Sequence, residues 1–135
     1  MSQFKTVLLI DDDNINNFIN QRLIKKAGLA QKVEVSTNGE EGLKFIRETY
    51  KSGKNCPDLI LLDINMPVMD GFDFIRVFEN MDYINKDKTK IIVLTTSSNK
   101  KDIQTLKKLG CINYINKPLT AEKLSSCLEG SISLI

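Results

Sequence analysis

Asp63 closes the apolar run Leu59-Ile60-Leu61-Leu62, and a segment shaped by proline and glycine, Asn65-Met66-Pro67-Val68-Met69-Asp70-Gly71, follows it. Four consecutive apolar residues read as a buried strand. The carboxylate is therefore delivered to the C-terminal end of that strand, where leaving it unpaired is costly. Other apolar runs deliver candidate partners. Asp11-Asp12-Asp13 follows Val7-Leu8-Leu9-Ile10, Thr95-Thr96-Ser97-Ser98 follows Ile91-Ile92-Val93-Leu94, and Lys117-Pro118 closes a weaker run. Three carboxylates within ~5 Å repel by roughly 3 kcal/mol per pair at an effective dielectric near 20. A hard divalent cation relieves that repulsion. Magnesium, which takes oxygen ligands and keeps several waters, suits two acids and a main-chain carbonyl. Lys117 adds positive charge aimed at an anion and Thr95 adds a hydroxyl donor. The set reads as a pocket for a phosphoryl group in which one acid can be the nucleophile.

The elements that must position these groups alternate along the chain. Strands are predicted at 7–10, 33–35, 59–62 and 91–94, with a weaker fifth at 112–115. Between them run segments of helical period. Ile15, Phe18, Ile19, Leu23 and Ala27 form one apolar stripe, the face an amphipathic helix turns to the core, with Gly28 as its stop. On that reading Asn16 and Asn17 lie on polar faces, Asn16 being placed to support the acid pair, and Asp13 is a helix-start acid or cap. Residues 39–50 carry Leu43, Phe45 and Ile46. Residues 72–81 carry Phe74, Ile75 and Phe78, and residues 99–109 carry Ile103, Leu106 and Leu109, ending at Gly110. Thr120 caps a last helix with Leu124, Leu128, Ile132 and Ile135 on one face. Gly42 inside the second helix is expected to weaken it by about 1 kcal/mol relative to alanine. Five β-α units predict an α/β domain over residues 1–135, a parallel sheet covered by helices on both faces. Ligands of such sheets bind beyond the carboxyl ends of the strands. The acids, the hydroxyls and the lysine all arrive at that edge, and the polar loops 51–55 and 85–90 at the other.

Composition narrows the function further. A net charge of +2 from 19 basic and 17 acidic residues, with lysines scattered as Lys25-Lys26, Lys100-Lys101 and Lys107-Lys108, gives no reason to propose nucleic acid. Cys56, Cys111 and Cys127 lack metal-ligand spacing and read as free thiols in a reducing compartment. No stretch is apolar for long enough to be a signal peptide or membrane span, so a cytoplasmic protein is expected. The chain has no histidine. That excludes a Ser-His-Asp triad, a His-ligated zinc site and a phosphohistidine carrier on this chain.

Asp11-Asp12 after the first strand, Asp63 followed by Met66-Pro67-Val68-Met69-Asp70-Gly71, Thr95 and Lys117-Pro118 together resemble the receiver domain of two-component response regulators, of the stand-alone chemotaxis-regulator kind. The spacings fit, with 32 residues from Asp63 to Thr95 and 22 from Thr95 to Lys117. The resemblance implies a flavodoxin-like, doubly wound sheet of five parallel strands in the order 2-1-3-4-5. It implies Asp63 as phosphoacceptor, and magnesium held directly by Asp12, through water by Asp11, and by Asp63 and the carbonyl of Asn65. Lys117, placed by a cis peptide to Pro118, and Thr95 would bind phosphoryl oxygens. Thr95 and Tyr114 would form the switch, changing the surface of the fourth helix, fifth strand and fifth helix. The donor would be a phosphohistidine on a sensor histidine kinase or histidine phosphotransfer protein, and the signal would pass to an unknown output protein. Such a domain is not an enzyme, although it assists its own phosphorylation and dephosphorylation. No output domain is expected after Ile135. Thr96 and Asn116 depart from the family's usual small and apolar residues, and small polar Asn65 and Ser97 leave water able to reach the site. Two rivals stand beside this reading: a haloacid-dehalogenase-like phosphatase using Asp11-x-Asp13, and a pseudo-receiver that binds partners without phosphorylation.

Overall fold

The structure is a computed structural model that describes residues 4–54, 56–64, 66, 68–82, 84, 88–96, 100–109 and 113–128. Its elements run β1 (Phe4–Ile10), α1 (Asn14–Lys26), β2 (Ala30–Ser36), α2 (Gly39–Lys51), β3 (Leu59–Asp63), α3 (Gly71–Glu79), β4 (Lys90–Thr95), α4 (Lys100–Lys108), β5 (Tyr114–Asn116) and α5 (Ala121–Leu128). Five parallel strands form one sheet in the order β2-β1-β3-β4-β5, as expected. No helix among the described residues is long and apolar enough to cross a membrane.

The continuous apolar runs are explained by burial on both sides. Leu8, Ile10, Ile60, Leu62 and Val93 share one core with Leu43 and Ile46 of α2, Phe74, Ile75 and Phe78 of α3, and Leu106 of α4. Their alternating neighbours Val7, Leu9, Leu59, Leu61, Ile92 and Leu94 share a second core with Ile24 of α1 and with Leu124 and Cys127 of α5. Side chains of a strand alternate between faces, so a run buried on both faces has no polar position to spare. Gly42 also finds its reason here. A Cβ at that position would sit 2.6 Å from Cδ1 of Ile10, so the missing side chain lets α2 close onto β1.

The first helix corrects the sequence reading. Its buried residues are Asn17, Asn20 and Ile24, while Ile15, Phe18 and Ile19 are exposed, Phe18 at 59%. A helix turns by about 100° per residue, so Ile15 and Asn17, roughly 200° apart, cannot both face the sheet. Asp13 caps the helix, accepting from the amides of Ile15 and Asn16 at 2.9 and 3.2 Å. That cap, together with Ile24 at the far end, sets the rotation that sends Asn17 inward and Ile15, Phe18 and Ile19 outward, while Leu23 packs half-buried against the second core. Gly28, at φ 68°, ends the helix as expected. Of the predicted thiols, Cys56 and Cys127 are free, Cys127 fully buried. Cys111 and the apolar tail at Ile132 and Ile135 lie outside the described residues.

Candidate functional site

The ladder itself places the acids side by side. Ile10 pairs with Leu62, so Asp11 and Asp63 occupy the next rung of adjacent parallel strands, which run about 4.8 Å apart. By alternation both point to the side covered by α1 and α5, as Leu9 and Leu61 do. Asp11 and Asp63 are buried and Asp12 is exposed; one carboxylate oxygen from each lies within 4.8 Å of the others. This set fits a hard divalent cation on its chemistry, for among the described residues three carboxylates face one nearby ammonium and an excess of negative charge remains.

That ammonium is Lys117. Its Nζ lies 3.2 Å from Oδ2 of Asp11 and 3.3 Å from Oδ1 of Asp63. Burial works to depress the lysine's pKa, but the attraction of Asp63 and then of Asp11 overrides it, leaving it above the ordinary lysine value. Lys117 is therefore a standing cation at neutral pH. Its backbone is fixed as well: its amide donates to the carbonyl of Thr95 at 2.8 Å, and the bond to Pro118 is cis. Thr95 ends β4 with only 2% of its surface exposed. Tyr114 is half-buried and packs against the core shared by α2, α3 and α4.

Local structure explains why the acids hold still. The amide of Asp13 donates to Oδ1 of Asp11 at 2.9 Å. Nδ2 of the buried Asn17 donates to the carbonyl of Asp11 at 2.8 Å. The support expected from Asn16 thus comes from Asn17, one position on. The signal available in the sequence was position: Asn17 stands one helical turn beyond the cap at Asp13, and its amide donates to the cap's carbonyl at 3.0 Å. Asp70 caps α3, accepting from the amide of Asp73 at 2.9 Å. Gly71 brings the loop back onto the strand. Its amide donates to the carbonyl of Ile64 at 2.8 Å, and a Cβ there would sit 2.8 Å from the carbonyl oxygen of Asp63. Val68, between these points, is held at φ 69° with its side chain exposed. A β-branched residue rarely adopts that conformation, and no sequence signal marked it. Asn65, Pro67 and Ser97 lie outside the described residues.

Comparison with known proteins agrees with this geometry. Residues 7–129 match the family model described as the response regulator receiver domain. The chain is 35% identical over 124 residues to two-component response regulator 24 of Arabidopsis thaliana, covering 92% of this chain and 81% of that protein. It is 38% identical over 122 residues to a probable C4-dicarboxylate response regulator of Halalkalibacterium halodurans, covering 90% of this chain but only 49% of that protein, about half its length. Among solved structures, a two-component response regulator from Cytophaga hutchinsonii superposes with a TM-score of 0.84 at 30% identity, covering 96% of this chain and 98% of the other.

Proposed function

Because this chain belongs to the response regulator receiver family, we propose that it is a phosphoacceptor switch in which Asp63 takes a phosphoryl group from a partner's phosphohistidine. Receivers are signalling domains of two-component systems rather than conventional enzymes. The observation that carries the specific reading is the convergence on one edge of Asp11, Asp12 and Asp63, with oxygens within 4.8 Å, and of Lys117 bridging two of them at 3.2 and 3.3 Å. A decayed site would lack a member of that set, which weighs against the pseudo-receiver. The phosphatase rival has no support once the receiver family is established.

In this reading a carboxylate oxygen of Asp63 attacks phosphorus in line, and the phosphorus–nitrogen bond to the donor imidazole breaks with its electron pair staying on nitrogen. Magnesium, held by Asp11, Asp12, Asp63 and the carbonyl of Asn65, would supply positive charge to offset that of the phosphoryl oxygens. Lys117 exchanges its contact with Asp63 for a phosphoryl oxygen. The hydroxyl of Thr95 takes another, and Tyr114 follows it inward. The state in which both can reach the phosphate is then favoured, a population shift driven by differential contacts. The altered surface of α4, β5 and α5 meets an output protein.

The donor needs a way in. Ile15, Phe18 and Ile19 begin directly after the acid loop and form an exposed apolar face, with Arg22 stacked on Phe18 at 5.7 Å from the ring centroid. A histidine kinase or phosphotransfer protein packing on that face would bring its histidine to the acids. Phe18→Glu should lower the rate of transfer from the protein donor at least tenfold while leaving transfer from acetyl phosphate unchanged. Equal losses with both donors would remove α1 from the interface.

The reading as a whole is tested by intact mass after incubation with acetyl phosphate. One added phosphate, dependent on magnesium and labile to hydroxylamine, is expected; no added mass under any condition would favour the pseudo-receiver. Asp12→Ala should weaken magnesium at least tenfold by calorimetry, at little cost in stability because its carboxylate is exposed. An unchanged affinity would remove Asp12 from the ligand set.

A further inference from the structure

A second ammonium among the described residues lies beside the loop that carries Lys117. Lys123, in the first turn of α5, points back over the loop that carries Lys117. Its Nζ donates to the carbonyl of Asn116 at 3.0 Å and to that of Pro118 at 3.1 Å, the two carbonyls that flank Lys117. Its own amide donates to Oγ1 of the cap Thr120 at 3.1 Å, which fixes where the side chain starts. On the sheet side the same loop is held by the Lys117 amide on the Thr95 carbonyl at 2.8 Å, and beyond it by the buried side chain of Leu119.

We propose that Lys123 is a positioning residue for phosphoryl transfer, clamping the carbonyls on either side of Lys117 so that its ammonium stays where it meets the phosphoryl oxygens. Two charge-assisted bonds from one ammonium tie the start of α5 to the end of β5. Lys117 and Pro118 lie in the short connection between those two elements. An active-site group displaced by about 1 Å can lose a large part of its effect, so a clamp on the supporting loop acts on the reaction without touching the phosphate. The inference rests on the proposed phosphoacceptor function, and its test separates the two.

Lys123→Met should lower the second-order rate constant for phosphorylation by acetyl phosphate by roughly tenfold, with magnesium affinity unchanged. The deficit should persist at about 0.5 M salt, where a diffuse surface charge would be screened. Lys123→Arg, whose guanidinium can also reach two carbonyls, should recover most of the rate. Amide hydrogen exchange at Lys117, measured without any phosphodonor, should quicken in Lys123→Met and return in Lys123→Arg. An unchanged exchange rate would overturn the clamp. So would a deficit that vanishes at high salt, or a parallel fall in magnesium affinity. If the wild type takes up no phosphate, the phosphoacceptor reading fails and the exchange measurement still decides whether Lys123 holds the loop.

Discussion

Asp63→Asn should carry no hydroxylamine-labile phosphate after treatment that labels the wild type fully, and it should fold at least as stably in the absence of magnesium. The second half makes the first interpretable. Asp63 faces Asp11 and Asp12 with oxygens within 4.8 Å, and Lys117 at 3.3 Å. At an effective dielectric near 20 each repulsion is about 3 kcal/mol and the attraction about 5 kcal/mol. Neutralising Asp63 therefore removes slightly more repulsion than attraction, and Lys117 keeps its pairing with Asp11 at 3.2 Å. Intact mass reads the label and a urea melt reads the stability. Label surviving in Asp63→Asn would place the acceptor elsewhere. A variant that loses label because it unfolds would refute the charge balance instead.

Gly71→Ala should lower stability by about 3 kcal/mol, the upper end of what overpacking costs, and should slow phosphorylation with it. The atoms in the way belong to the main chain: the carbonyl oxygen of Asp63 and Cα of Ile64, each 2.8 Å from the added carbon. No rotamer change relieves that. Either the start of α3 moves off the strand, breaking the 2.8 Å bond from the Gly71 amide to the Ile64 carbonyl, or the end of β3 moves and takes Asp63 with it. A lower urea midpoint at unchanged slope is the expected signature. An alanine tolerated without loss would mean that the loop relaxes freely and that the close approach does not govern where the acid sits.

Most of the fold was legible because burial on both faces writes strands as unbroken apolar runs, and Leu59-Ile60-Leu61-Leu62 could hardly be anything else. The elements of the site were legible for the same reason, since each ended a strand. The first helix was not. Its period correctly marked one apolar face and one polar face, but period carries no sign, and Ile15, Phe18 and Ile19 point outward because Asn17 is needed inside to hold the carbonyl of Asp11. A buried asparagine bonded to main chain looks, in sequence, like an exposed one. Gly42 misled in a related way: a helix propensity reports on an isolated helix and says nothing of Ile10 lying beneath it. Val68 and Lys123 were invisible for a third reason: the part of Val68 is a backbone angle, and the Lys123 ammonium meets main-chain carbonyls, which no residue type marks.

The rung-by-rung pairing of β1 with β3 makes the two ends of this molecule unequal as places to edit. One residue inserted ahead of Asp63 would shift the acid by about 3.3 Å and turn it to the other face of the sheet. The far end has no such arithmetic. There α2 runs out at Ser52, Gly53 takes φ 76°, and nothing lies within 4 Å of where its Cβ would be. A fluorophore or a grafted peptide spliced around Gly53 leaves every rung in register. The acid-bearing end can thus be watched from the opposite side, by a reporter that the site does not have to accommodate.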